Sequence, residues 1–263
     1  MRLVCIHDRS LIRDLLETDP YLNIYGIGDV DDLFWPYTCW YGLEDEKELK
    51  SAVCVYMGSD ISTVLALSEN TAAMSTLLKA ALCILPYRFY AHLSPGLDEV
   101  FKKDFCFESN HPHFKMALTD TRLLESEDIS QTVELTVDDI PALLDLYNDS
   151  YPGNWFEPEM LTLNRYYGIK DGSRLLAAAG THVYSPSASA AAVGNIATRI
   201  ECRGKGYGAK VTAALSTRLI KEGIRVGLNV QEDNEAAVSC YRKIGFNIHA
   251  GFSECTLRRR SES

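Results

Sequence analysis

The sequence predicts an α/β protein in which two halves repeat the same order of strands and helices. In the second half, apolar runs rich in β-branched residues alternate with amphipathic segments of helical spacing. The first half shows the same alternation in a weaker form, and a polar, acidic stretch at residues 123–131 separates the two. We therefore predict one domain over residues 1–125 and a second over residues 126–263.

The second half reads as helix, strand, buried strand, glycine-rich turn, long helix, strand, short helix and final strand. Without the turn, these segments are residues 137–148, 173–182, 190–200, 205–222, 225–230, 234–246 and 251–257. The turn has the sequence RGKGYGA, and the long helix ends before Gly223. Asp233 and Asn234 can cap the short helix. We expect the final strand to close this half.

The first half repeats that order, which suggests a duplication. Its segments are residues 61–67, 70–85, 87–93, 96–105 and 113–119. The counterpart of the glycine-rich turn is the sequence SENT at residues 68–71, which has no glycine and adds a negative charge. If the two halves are related, only the second keeps a turn that can receive an anion.

The charge composition argues against a nucleic-acid partner. The chain has 26 Lys and Arg and 36 Asp and Glu, and its net charge of −10 opposes binding to phosphate backbones. Residues 1–130 carry 11 basic and 21 acidic side chains, whereas the remainder carries 15 of each. A second half without net charge is better placed to receive an anionic ligand, and the acidic first half favours a cationic one.

Disulfide bonds, a metal site and a membrane segment are not indicated. The eight cysteines are scattered without a C-x-x-C pair, so we expect reduced thiols and no metal. The sequence His111-Pro112-His113 is typical of a solvated turn. Charged residues interrupt the N-terminal segment where a secretory signal has its apolar core, and the longest apolar stretch, residues 72–85, contains Lys79. We therefore expect a cytoplasmic protein without a membrane partner.

The glycine-rich turn is a candidate anion site. Gly204, Gly206 and Gly208 remove side chains from a turn that leads directly into a helix, whose first N–H groups and dipole favour negative charge. A pyrophosphate fits such a site, and Arg203 and Lys205 can add charge-assisted hydrogen bonds. The alternative interpretation is a tight turn without a ligand.

Two other patterns of nucleotide binding fit this turn poorly. The P-loop sequence GxxxxGK[ST] is absent. The Rossmann string G-x-G-x-x-A is present at residues 204–209, but only 54 residues follow it, too few for the series of βαβ units that this fold needs. A Rossmann oxidoreductase is therefore the least favoured alternative.

Two motifs together resemble the GNAT superfamily of acyl-CoA-dependent N-acetyltransferases. The turn RGKGYGA matches the pattern R/Q-x-x-G-x-G/A. A second pattern, N-x-x-A-x-x-x-Y-x-x-x-G-F, follows at Asn234, Ala237, Tyr241, Gly245 and Phe246. The segment AVGNIATRIECRGKGYG is similar to the branch that includes glycine N-acyltransferase-like proteins, which are often built from two tandem halves. The resemblance covers about residues 131–257 well and the first half in outline.

This resemblance implies two tandem GNAT-like halves with a mixed sheet flanked by helices and with splayed central strands in the C-terminal half. The N-terminal half is then a degenerate domain, and the C-terminal half is the catalytic one. It implies acetyl-CoA as cosubstrate, no metal, and direct attack by the amine of a small-molecule acceptor in a ternary complex. From the acidic first half we further expect an acceptor with net positive charge.

In such a site the pantetheine arm of coenzyme A lies between the splayed strands, and the acyl carbonyl accepts a backbone N–H near Asn195 or Ile196. The implied cofactor-binding residues are Ile196, Ala197, Thr198, Arg203, Gly204, Lys205, Gly206, Tyr207, Gly208, Ala209, Asn234, Ala237 and Tyr241. The spacing of Asn234, Ala237 and Tyr241 places them on one helix face. Tyr241 is the implied general acid for the departing thiolate, and a packed aromatic residue is the alternative.

The general base is not evident. Many relatives carry a glutamate on the splayed strand, but residues 190–198 contain no carboxylate. Glu157, Glu159 or a chain of water molecules can take this role, although both glutamates also fit ordinary helix capping. The missing glutamate supports a second interpretation, a catalytically silent acyl-CoA-binding or regulatory protein.

The loop between the first two helices of the second half contains Tyr151, Trp155 and Phe156. In GNAT proteins this region commonly covers the acceptor, so these aromatic residues are candidates for substrate binding. Packing into the core explains them nearly as well. We expect His182 to be a structural histidine and Cys240 to be a core residue.

Overall fold

A computed structural model describes residues 1–163 and 165–261. The α-helices are α1 (Arg9–Leu16), α2 (Ile24–Asp29), α3 (Thr71–Ala81), α4 (Ile140–Ser150), α5 (Met160–Leu163), α6 (Tyr207–Lys221) and α7 (Glu235–Lys243). The strands are β1 (Arg2–Ile6), β2 (Thr38–Asp45), β3 (Glu48–Tyr56), β4 (Ser62–Ala66), β5 (Arg88–Leu93), β6 (Phe105–Leu118), β7 (Thr132–Glu134), β8 (Tyr166–Asp171), β9 (Arg174–Ser185), β10 (Ala190–Thr198), β11 (Arg225–Gln231) and β12 (Phe246–Arg259).

The chain forms two compact units that are not consecutive along the sequence. Unit 1 contains Met1–Lys115, Gln231–Asp233 and the chain from His249 onward, and unit 2 contains Met116–Val230 and Asn234–Ile248. Two of the boundaries fall inside the long strands β6 and β12. Each of these strands therefore contributes residues to both units.

Unit 1 has the strand order β1-β2-β3-β4-β5-β12. The strands from β1 to β4 pair antiparallel with their neighbours, whereas β4 and β5 pair parallel and are joined by α3. A parallel pair needs such a crossover connection. Helix α3 buries Met74, Leu77 and Leu78 in the same core cluster as Phe89 and Phe101, so its apolar face holds the crossover on the sheet.

The C-terminal strand completes the sheet of unit 1. Residues Ser253–Arg258 of β12 pair antiparallel with Arg88–Leu93 of β5, and Cys255 and Leu257 are buried in the core cluster of this unit. The prediction that the final strand closes the second half is therefore wrong. The alternating sequence predicts a strand there, but the partner is set by the edge of β5, which needs covering.

Unit 2 has the strand order β7-β8-β9-β10-β11. The first four strands pair antiparallel, and β10 and β11 pair parallel across α6. Leu143 of α4 packs in one core cluster with Tyr166, and α6 buries Val211, Leu215 and Leu219 at the predicted helical spacing. Both units thus contain an antiparallel run that ends in a parallel pair bridged by a helix, which confirms the predicted fold class.

The described residues contain neither a helix that could cross a membrane nor a group of metal ligands. Among residues 1–163 and 165–261, no helix is long and apolar enough to cross a membrane. In the same part of the chain, no three His, Cys, Asp or Glu side chains are grouped as ligands for a metal ion.

The sequence His111-Pro112-His113 lies within β6 and not in the expected turn, and the His113 Nε2 atom lies 3.3 Å from a Glu254 carboxylate oxygen.

Unit 1 buries a lysine among aromatic rings. Lys115 is 1% exposed, and its Nζ atom lies 4.8 Å from the ring centroid of Tyr25 and 4.6 Å from that of Phe252. Burial lowers the pKa of Lys115 to about 7, although the negative charges of Glu254 and Asp19 oppose this shift. The folded state therefore holds this amine partly neutral at neutral pH.

We expect Lys115→Met to remove a pH dependence of stability. Since the folded pKa lies below the ordinary value of about 10.4, the unfolded chain binds more protons between pH 7 and pH 10. The free energy of unfolding then rises with pH in this window, by up to about 1.4 kcal/mol per pH unit. Urea unfolding at several pH values should show this slope in the wild type and a smaller slope in Lys115→Met.

The exposed Lys103 supplies the matched control. Lys103→Met removes the same charge from the surface, so its unfolding free energy should follow the wild-type pH dependence. Equal slopes in Lys115→Met and in the wild type would show that the buried amine stays protonated.

Candidate active site

The parallel strands at the centre of unit 2 separate partway along their length. Their pairing runs from Ala190 with Arg225 to Val193 with Leu228, whereas β10 continues to Thr198. The second part of β10 therefore presents backbone groups toward a gap and not toward β11. This is the splay that the resemblance implies, and it lies directly before the glycine-rich turn.

The corresponding strands of unit 1 stay paired. The β4 and β5 register extends to Ala66 with Leu93, the last residue of each strand. The next residue, Ser94, continues the closure, because its N–H donates to the Ala66 carbonyl at 3.1 Å and its hydroxyl accepts the Ser68 N–H at 2.9 Å. Unit 1 thus leaves no comparable gap between its parallel strands.

A bulge at Asn195 shapes the separated part of β10. Gly194 and Ala197 of β10 both pair with β9, and between them the two residues Asn195 and Ile196 lie opposite a single residue of β9. Asn195 has a left-handed φ of 50°. An extra residue in one strand bends it and redirects its side chains. Asn195 is 3% exposed, so this backbone conformation is held inside the fold.

Three polar side chains from outside β10 hold the bulge. The Tyr147 hydroxyl of α4 donates to the Asn195 carbonyl at 2.9 Å. The Asn195 Nδ2 atom donates to the Tyr166 hydroxyl at 3.0 Å, and the Asn154 Nδ2 atom donates to the Asn195 Oδ1 atom at 3.3 Å. Sequence patterns predict no role for these three partners, and they predict only a backbone role for Asn195. The structure adds a positioning role for its side chain.

The glycine-rich turn delivers the chain into α6 through two left-handed residues. Gly204 has a φ of 79° and Gly206 a φ of 80°, and a Cβ at either position would meet nothing within 4 Å. These glycines are therefore required by backbone conformation and not by crowding. At Gly208, by contrast, a Cβ would lie 3.4 Å from the Thr198 hydroxyl oxygen.

The N-terminus of α6 fits an anionic group. Among the described side chains, none caps this helix, so its first N–H groups face the exposed turn with the positive end of the helix dipole. Lys205 is exposed within the turn, and Tyr207 and Ala209 lie in the first turn of the helix. In unit 1, the equivalent end of α3 is capped by Asn70, whose side chain accepts the Ala73 N–H at 3.1 Å.

Two arginines near the turn hold the end of β10. The Arg203 guanidinium donates to the carbonyl oxygens of Thr198 at 3.4 Å and Ser150 at 3.1 Å, so its predicted contact with a phosphate stays a prediction. Arg199, which the sequence did not single out, is buried and pairs with Asp145 and Asp149 of α4. The spacing of these two aspartates by four residues was the available signal for such a contact.

The short helix α7 follows strand β11 in the sequence and carries the second motif. The Asn234 Oδ1 atom caps it by accepting the Ala237 N–H at 3.1 Å, which leaves the Nδ2 group as the donor toward a ligand. Tyr241 is 8% exposed, and its ring contacts Phe246 edge-on at 6.2 Å. Burial raises the pKa of Tyr241 far above its ordinary value, and Cys240 and Tyr151 raise it further. The phenol therefore stays protonated at neutral pH.

The three aromatic residues of the predicted acceptor loop have different surroundings. Phe156 packs between Tyr147, at 5.1 Å between ring centroids, and Tyr166, at 5.8 Å, within the core cluster of α4. Tyr151 is 45% exposed and Trp155 is 47% exposed. Phe156 thus follows the packing alternative, whereas Tyr151 and Trp155 remain candidates for contact with an acceptor.

The other sequence candidates lie as follows. Glu157 and Glu159 are exposed at the start of α5, where their carbonyl oxygens accept N–H groups of that helix. Cys240 is partly exposed, and burial raises the pKa of its thiol, so it is poorly suited to act as a nucleophile.

We expect substitutions at Asn195 to separate strain from hydrogen bonding. Asn195→Ala and Asn195→Gly both remove the bonds to Asn154 and Tyr166, which should cost about 1–3 kcal/mol in unfolding free energy. Glycine adopts the left-handed conformation without the steric penalty of alanine, so the glycine variant should be more stable by about 1 kcal/mol. Urea unfolding measures both, and equal stability of the two variants would contradict a left-handed Asn195.

Comparisons with known proteins show what this chain is similar to. Residues 166–255 match the family described as FR47-like protein. No curated protein sequence matches the chain. A Drosophila protein of known structure superimposes with a TM-score of 0.70 at 12% identity, covering 97% of this chain and 98% of that one.

Two further structures extend the likeness along the whole chain. A GNAT-family acetyltransferase from Colwellia psychrerythraea has a TM-score of 0.58 at 15% identity, covering 99% of this chain and 100% of that one. A tandem GNAT protein from the clavulanic acid biosynthesis pathway has a TM-score of 0.58 at 13% identity, covering 100% and 99%. Together, these structures show that the fold of the whole chain is the GNAT fold, and the FR47-like family model matches a part of its second half.

Proposed function

We propose that unit 2 binds acetyl-CoA and transfers the acetyl group to the amine of a small-molecule acceptor by direct attack in a ternary complex. One observation carries the proposal. The gap between β10 and β11 lies directly before an exposed, uncapped helix N-terminus, and in the described chain unit 1 closes both features. The GNAT fold of the chain supports acyl transfer in general.

The residues of unit 2 suit the parts of coenzyme A in turn. Backbone groups of β10 from Gly194 to Thr198 can pair with the pantetheine amides in place of β11. The first N–H groups of α6, with Lys205, can bind the pyrophosphate. Half-buried Ala237 leaves space beside the arm, and the Asn234 Nδ2 group can donate to it.

Acetyl transfer requires three balanced changes. The acceptor nitrogen forms a bond to the thioester carbon, and the negative charge that develops on the carbonyl oxygen is stabilised by backbone N–H groups at the Asn195 bulge. The C–S bond then breaks, and its electron pair leaves with sulfur. The thiolate receives a proton from the Tyr241 hydroxyl, and the former amine gives up a proton to a base. Tyr241 then regains its proton from water.

Burial keeps Tyr241 neutral, so its hydroxyl can donate a hydrogen bond and does not act as a base. The raised pKa keeps its hydroxyl protonated across the neutral range. The same burial raises the pKa of a thiol that enters the site. The pKa difference between the Tyr241 phenol and this thiol is therefore smaller than the shift of the phenol alone implies. A hydrogen bond from Tyr241 then stabilises the sulfur as it departs.

Tyr241→Phe should lower kcat by roughly 10²-fold or more, because only the proton donor is removed. The phenylalanine ring keeps the contact with Phe246, so the fold and the affinity for acetyl-CoA should change little. Steady-state kinetics at saturating substrates and calorimetric titration with CoA test both statements. Turnover near the wild-type value, with chemistry rate-limiting, would reduce Tyr241 to a packing residue.

Gly206→Asp should abolish CoA binding, because it places a carboxylate at the N-terminus of α6 where the pyrophosphate would bind. Gly206→Asn has nearly the same shape without the charge and tolerates a positive φ, so it should retain most of the affinity. Gly223→Asp is the matched control, since Gly223 also has a positive φ, 77°, in open space, but follows the other end of α6. Calorimetry with CoA decides, and equal affinity of both aspartate variants would move the pyrophosphate elsewhere.

The release of free CoA in the presence of amines distinguishes an enzyme from a silent acyl-CoA-binding protein. We propose an acceptor with net positive charge, which the 21 acidic and 11 basic residues of positions 1–130 would favour. A panel of cationic, neutral and anionic amines, assayed for thiol release at low and moderate salt, tests this class. Electrostatic steering predicts a Michaelis constant that rises with salt. Binding of acetyl-CoA without thiol release from any amine would favour the silent protein.

A further inference from the structure

Two aromatic rings lie directly on glycines in the centre of the unit 2 sheet. Tyr166 of β8, Gly180 of β9 and Gly194 of β10 are register partners across three strands. A Cβ at Gly180 would lie 2.1 Å from the Tyr166 ring, and a Cβ at Gly194 would lie 2.5 Å from the His182 ring. These two glycines are therefore required for space, because each ring occupies the position of a side chain.

A second bulge places His182 over Gly194. The β9–β10 register changes from Val183 with Ala192 to Thr181 with Val193, which leaves His182 as the extra residue. Such a bulge redirects a side chain. Gly194 is the first residue beyond the last β10–β11 pair, so the imidazole borders the point where the central strands separate.

The loop between α4 and α5 covers this imidazole. The Trp155 ring lies 5.7 Å from the His182 ring, tilted by 51°, and Trp155 is itself 47% exposed. His182 is half-buried between Gly194 and this ring. The imidazole therefore lies between the point where the strands separate and the loop that contains Trp155.

Two phenols lie beside this position. Tyr166 of β8 and Tyr147 of α4 both bond to Asn195, next to Gly194. Burial raises the pKa of Tyr166 to about 12 and that of Tyr147 well above its ordinary value, so both phenols stay neutral. An imidazole has an ordinary pKa of about 6.5, which suits a proton acceptor at neutral pH.

We propose that His182 is the general base of acetyl transfer, with Trp155 and Gly194 positioning its ring. This inference rests on the proposed function. As the acceptor nitrogen bonds to the thioester carbon, its proton passes to an imidazole nitrogen, and the imidazolium later releases it to water. The C–S electron pair leaves with sulfur, which is protonated by Tyr241. His182 then replaces the carboxylate that β10 lacks, a role beyond the structural one predicted from the sequence.

His182→Gln tests this role in the full chain. We expect kcat/KM to fall by roughly 10²-fold or more near pH 7, a loss typical of removing a general base. The wild-type acid limb, with a midpoint near the imidazole pKa, should disappear, and residual activity should increase with pH as the free amine deprotonates. CoA affinity by calorimetry should stay within about twofold of the wild type. His111→Gln, on an exposed histidine of unit 1, should change none of these quantities.

A measurement without turnover keeps the inference testable if His182→Gln fails to fold. In wild-type protein, NMR of labelled histidine rings should show the His182 imidazole titrating between pH 5 and pH 8, and its resonances should shift when the best acceptor amine is added. Gly194→Ala, whose Cβ displaces the ring, should alter the same resonances.

The possible failures are distinguishable. Wild-type protein that does not bind CoA, or that binds it without transfer to any amine, contradicts the proposed function. An active wild type whose pH profile is reproduced by His182→Gln, or whose His182 ring does not titrate, overturns the general base alone.

Discussion

The one-sided loss of pairing along β10 is the constraint on which the rest of unit 2 depends. Backbone amides and carbonyls of an interior strand need partners, and beyond Val193 the parallel neighbour no longer supplies them. The strand keeps its shape because Tyr147, Tyr166 and Asn154 hold Asn195 in a left-handed conformation. Helix α4, strand β8 and the loop between α4 and α5 therefore stabilise a backbone surface that regular sheet pairing would otherwise cover.

The two units show how one topology can open or close the end of a parallel strand pair through a few contacts. In unit 1, Ser94 extends the closure of β4 and β5, and Asn70 occupies the end of α3. In unit 2, the strands part at the same stage, and Gly206 leads into an uncapped α6. The proposed acetyl transfer therefore depends on these local differences and not on the shared order of strands and helices.

Burial acts on the titratable groups of both units in the same physical way, with different results. It disfavours the charged form, so Tyr241 and Tyr166 remain neutral donors beside the site, while the Lys115 amine in unit 1 becomes partly neutral. A phenol whose pKa is raised stays neutral at neutral pH, so it can donate a hydrogen bond but does not act as a base. A site built from such phenols needs a separate basic group, and the bulge in β9 places His182 at that point.

The sequence by itself determined the local features of this protein. Helical spacing marked α3 and α6, alternation marked β11, and the glycines of the turn indicated a backbone that only glycine adopts easily. The tertiary structure alone decided the partner of β12, the bulges at Asn195 and His182, and the closure of unit 1 by Ser94. The physical reason is that hydrophobic period reports which face of an element is buried, whereas strand partners and ring contacts join residues far apart in the chain.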